Sequence, residues 1–110
     1  MIESSFKKIH QQIDQATELS SEHRGELEEL IKNLEQEVTI LSKTRPEESQ
    51  SISGFAQVSA HEAVRDTKRP DLLNHSIEGL SASVIGLETE HPQVTALVNR
   101  LCVLLHNMGI

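Results

Sequence analysis

Tryptophan and tyrosine are absent from this chain of 110 residues, and its only large aromatic side chains are Phe6 and Phe55. A core made from it must take its hydrophobic driving force from Leu, Ile and Val at regular spacing. There is one cysteine, Cys102, which excludes an internal disulfide. It lies in an apolar stretch, where a free thiol behaves as a small hydrophobe, so a reducing compartment is the simplest expectation. Basic residues are scarce, ten Lys and Arg against seventeen Asp and Glu, for a net charge of −7. Phosphate backbones and anionic lipid both call for clustered Lys and Arg, so neither nucleic acid nor a membrane surface is an expected partner. No segment reaches the roughly 18 uninterrupted apolar residues of a membrane span, and none near the start has the apolar core of a signal peptide, so a cytoplasmic location is expected. The five glycines are scattered and form no phosphate-cradling loop. No cofactor is expected.

What is present is enough for one small domain, with 36% apolar residues and a large share of surface left in water. The charge is uneven, −4 over residues 1–43, neutral over 44–70 and −3 over 71–110. Apolar residues recur at Ile2, Phe6, Ile9, Ile13 and Ala16, the narrow seam of a coiled-coil-like helix. The pattern breaks at Leu19, and Ser20 or Ser21 is placed to cap a second helix whose stripe is Leu27, Leu30, Ile31, Leu34, Val38 and Leu41. So short a turn predicts an antiparallel hairpin over residues 1–43.

Residues 44–58 lose this periodicity and are rich in Ser, with Pro46 and Gly54, the composition of a flexible linker. The span 59–110 reads as a short helix followed by a second hairpin. Ser59-Ala-His-Glu62 has the form of a capping box, and Arg69-Pro70-Asp71 stops or kinks the short helix. A long helix then begins near Asp71 with Leu73, Ile77, Leu80, Val84 and Leu87 on one face, and ends before Pro92, which suits the first turn of the next. That last helix carries Val94, Leu97, Val98, Leu101, Leu104, Leu105 and Met108 in a wide stripe, with Val103 near the opposite side. An apolar face so broad predicts a central helix. The expected fold is all-α: two antiparallel hairpins forming a four-helix bundle or coiled-coil-like assembly around a mobile linker, one folding unit overall.

The helix before Pro92 also has a stripe of small residues, Ser76, Gly79, Ser83 and Gly86. Interior glycine costs roughly 1 kcal/mol relative to alanine, so close helix packing is the expected compensation. Glu88-x-x-His91 has the i, i+3 spacing of ferritin-like di-iron bundles, but the other histidines supply no second pair, and no metal site is expected. Cys102 and His106, four apart, could share a face, yet no orienting group accompanies them, so a catalytic pair is not expected. Gly109 is expected to close the last helix in a left-handed conformation, with Ile110 folded back on Leu104 or Leu105. Docking of that terminus into a partner is the alternative.

His91-Pro92-x-Val94-Thr95, then Leu97, Arg100 and Leu101, and finally Asn107-Met108-Gly109-Ile110, resemble a bacterial family of small acidic helical proteins classed as a domain of unknown function. The resemblance extends to Leu27, Leu30 and Leu34 of the N-terminal hairpin, while residues 46–69 look like an insertion. It implies a helical fold without known catalytic activity and carries over no functional residue. The chain thus reads as a non-catalytic interaction or scaffold protein that self-associates as a dimer or higher homo-oligomer, with an unidentified protein as a further candidate partner. A ligand- or metal-binding four-helix bundle is the alternative, and an enzyme of unknown class stands third. The candidate interaction residues are Gly79, Ser83, Gly86, Leu97, Leu101, Val103, Leu104 and Met108.

Overall fold

A computed structural model describes residues 2–109, which form five α-helices and, among the described residues, no strand. They are α1 (Ile2–Gln15), α2 (Ser21–Leu41), α3 (Pro46–Val64), α4 (Pro70–Ala82) and α5 (Pro92–Met108). The seam of α1 is buried at Phe6, Ile9 and Ile13, and all six residues of the α2 stripe are buried as well. Ser20 is the N-cap of α2, its hydroxyl oxygen accepting from the His23 backbone N–H at 3.1 Å.

The three prolines of the chain each occupy the first turn of a helix. The missing N–H of proline would have no partner there in any case, and its fixed φ suits the helix. The preceding residues Arg45, Arg69 and His91 have φ near −130°, outside helical geometry, as a following proline requires. Pro46 therefore opens a helix where the sequence suggests a linker, and Glu47 and Glu48 favour that helix by standing at its positive end.

The segment expected to be a flexible linker, 44–58, is mostly α3, and α3 is the only helix that touches all four others. Its buried residues are mostly small, Ser49, Ser53, Ala56, Ser59, Ala60 and Ala63, with Ile52 the only large aliphatic and Glu62, paired with Arg65, the only charged side chain among them. Small residues let neighbouring backbones come close, so a helix of low apolar content occupies the centre. Ser59 lies inside α3 and does not start a helix. The central position expected of the C-terminal helix belongs to α3 instead.

The helices do not pair mainly as two sequential hairpins, because α3 stands between them. α1 packs chiefly on α3, α3 on α4, α2 on α5 and α4 on α5, with a lesser contact between α1 and α2. α4 is also shorter than expected, ending at Ala82, and Val84 and Leu87 enter the core from the turns between α4 and α5. Gly86 in those turns has φ +93°, the left-handed region open to glycine, and its N–H donates to Glu88 Oε2 at 2.9 Å. Gly109 at the end of α5 has φ −89° and is not left-handed as expected. Its side-chain position is filled by Leu73, which explains the glycine by proximity. Ile110 lies outside the described residues.

Candidate interaction surface

α2 and α5 lie side by side and antiparallel, because their apolar stripes share one wall of the core while their outer edges face water. Between those outer edges runs a shallow groove. One end, of about 400 Å³, is lined by Glu26 and Leu30 of α2 and by Asn99, Val103, Leu104 and Asn107 of α5. The other, of about 330 Å³, is lined by Asn33, Gln36 and Glu37 of α2 and by Gln93, Ala96 and Leu97 of α5. Arg100 borders both. Val103 is 62% exposed, a large aliphatic in water at the groove's edge.

The electrostatics of the two edges differ. From Pro92 to Met108 there is no acidic residue, and Arg100 is the only charge that is fixed at neutral pH. The α2 edge presents Glu26 and Glu37. Four of the five arginines are engaged: Arg24 with the carbonyls of Ile13 and Ala16, Arg45 with Glu48 and Glu90, Arg65 with Glu62, and Arg69 with Asp71. Arg100 alone has neither an ion pair nor a hydrogen bond among the described residues.

Of the residues singled out in the sequence, Leu97, Val103 and Leu104 come together on this groove, with Leu101 fully buried behind them. Met108 is half-buried at another depression, beside Leu19, Val64 and Lys68. Gly79 is covered by the ring of Phe55, so its close packing occurs within the chain, against α3. Ser83 follows α4 and donates its hydroxyl to the Leu80 carbonyl at 2.6 Å, and Gly86 serves a turn with open space where a side chain would begin. The groove residues that sequence reading did not select as interaction candidates include Glu26, Leu30, Glu37 and Arg100. A lone charge in an otherwise uncharged helix was the available signal for Arg100, whereas nothing local pairs α2 with α5.

The polar groups considered for chemistry are dispersed. Burial pushes the Cys102 thiol above its ordinary value, and its sulfur lies 4.0 Å from the Ile77 carbonyl oxygen, while His106 is exposed and makes no hydrogen bond to it. A raised thiol pKa disfavours the nucleophilic thiolate. Glu88 accepts from the Gly86 N–H at 2.9 Å, and the His91 backbone N–H donates to the Leu87 carbonyl at 2.8 Å. Among the described residues no three His, Cys, Asp or Glu side chains gather as a metal site would need, and no helix is long and apolar enough to cross a membrane. No protein-family model matches this chain, and neither a curated protein nor a solved structure does.

Proposed function

We propose that this chain is a non-catalytic helical interaction protein that self-associates as a dimer or larger assembly. The observation that carries the reading is the groove between α2 and α5, where the exposed Val103 and the half-buried Leu97, above Leu30 and Leu104 of the core, meet a rim of amides and charges. An apolar strip with a polar rim has the composition of a protein contact surface. A cytoplasmic bacterial protein, related to the family of small acidic helical proteins that its α5 region resembles, is part of the same proposal. The reading gives no bond-making role to Cys102, whose thiol is shifted upward by burial, or to Glu88, which accepts from the Gly86 N–H.

Size-exclusion chromatography with light scattering tests it. Two or more chains per particle at micromolar concentration are expected, with dissociation on dilution. A single chain per particle at every concentration reached would reject self-association.

A further inference from the structure

We infer that a second copy of this chain occupies the α2–α5 groove, each α5 lying on the partner's α2, with Arg100 of one copy between Glu26 and Glu37 of the other. This rests on the self-association proposed above and specifies its surface. The argument is charge complementarity on a molecule of net charge −7. Two such molecules repel over most of their surface, and the outer face of α5 offers an approach with no acidic residue and one unengaged arginine. The face it needs is present on the same chain, since α2 carries Glu26 and Glu37 on its outer edge. A two-fold axis parallel to these helices places each α5 over the partner's α2 and preserves the register already seen within the chain, where Arg100 stands between the levels of Glu26 and Glu37. The same superposition covers Val103, which is otherwise 62% exposed, with the partner's Leu30 region.

The experiment uses two variants of the full chain, Arg100→Glu and the pair Glu26→Lys with Glu37→Lys, each checked for an unchanged helical signal and thermal melt. Light scattering then gives the mass of the parent, of each variant alone and of an equimolar mixture. In either variant alone both reciprocal contacts set like charges together, so the dimer dissociation constant is expected to rise about a hundredfold or more. In the mixture both contacts join opposite charges, and the dimer is expected to return. Loss in each variant without recovery on mixing overturns the inference, as does a dimer that neither variant disturbs, although self-association itself would then survive. A parent that is monomeric throughout overturns both.

Discussion

The guanidinium of Arg24, in the second turn of α2, donates to the carbonyl oxygen of Ala16 at 2.6 Å, and its other terminal nitrogen donates to that of Ile13. The last carbonyls of a helix have no partner within it, and a cation beside them also meets the negative end of the helix dipole. One side chain thereby ends α1 and fixes its junction with α2. Arg24→Ala is expected to lower stability by about 1.5–3 kcal/mol, the range for hydrogen bonds to a charged group. Arg24→Lys, which cannot span both carbonyls, should fall between the two in urea unfolding.

Phe55 and Gly79 are coupled across α3 and α4. Alanine in place of a helical glycine ordinarily adds about 1 kcal/mol, but here the new methyl group would meet the Phe55 ring. Gly79→Ala is therefore expected to destabilise the parent by displacing the ring into water, and to stabilise a Phe55→Ala background. A double-mutant cycle on unfolding free energies measures the difference, and additive effects would contradict the close approach.

The core position of α3 changes what residues 44–58 tolerate. Deletion within a mobile linker would be harmless, whereas here it removes part of the helix that every other helix touches. Ala56→Leu or Ala60→Leu should cost about 1–3 kcal/mol by overpacking, since both alanines are fully buried. Ser59→Ala should be neutral or stabilising, because the Ser59 hydroxyl is buried without a hydrogen-bond partner. Limited proteolysis is expected to spare 46–64 in the folded protein.

How much of this was legible in the sequence depends on side-chain size. α1 and α2 announce themselves through Phe6, Ile9, Leu27 and Leu34, large residues whose helical spacing is plain. α3 has the same spacing at Ser49, Ile52, Ser53, Ala56, Ser59, Ala60 and Ala63, but small and hydroxylated residues write it, so its part before Ser59 read as linker and only its end as a short helix. Pro46 misled for the same reason that Pro92 did not: only the large apolar stripe after Pro92 marked it as a helix start. On the groove, Leu97, Val103 and Leu104 were visible as excess apolar surface on one helix. Their neighbours on α2 were not, because helix pairing across more than fifty residues leaves no mark in local periodicity.

Cys102 gives a pH dependence of known sign. Burial raises its thiol pKa above the unfolded value, so the unfolded chain ionises first as pH rises. The native state then binds more protons than the unfolded state, and stability falls through the interval between the two pKa values. The contribution is complete below the ordinary thiol range and lost above it. Parent and Cys102→Ala should show a constant stability difference near pH 7 that shifts against the parent at alkaline pH. Modification by a thiol reagent should be slow in the folded protein and fast in urea.

Gly86 and Gly109 separate two reasons for glycine. At Gly86 the backbone has φ +93° with open space around it, so any residue with a side chain meets strain but no obstruction. Gly86→Ala and Gly86→Leu should therefore cost similar amounts, about 1–2 kcal/mol, and Gly86→Asn less, since asparagine tolerates the left-handed region. At Gly109 the backbone is ordinary, but Leu73 fills the space where a side chain would begin. Gly109→Ala should thus disturb Leu73, and shortening that neighbour by Leu73→Ala should reduce the cost of the Gly109 change while leaving the Gly86 costs untouched. Thermal melts of the single and double variants decide the matter: a Gly86→Leu far worse than Gly86→Ala would mean that the turn is packed against something, and an unchanged Gly109 cost in the Leu73→Ala background would remove Leu73 as its cause.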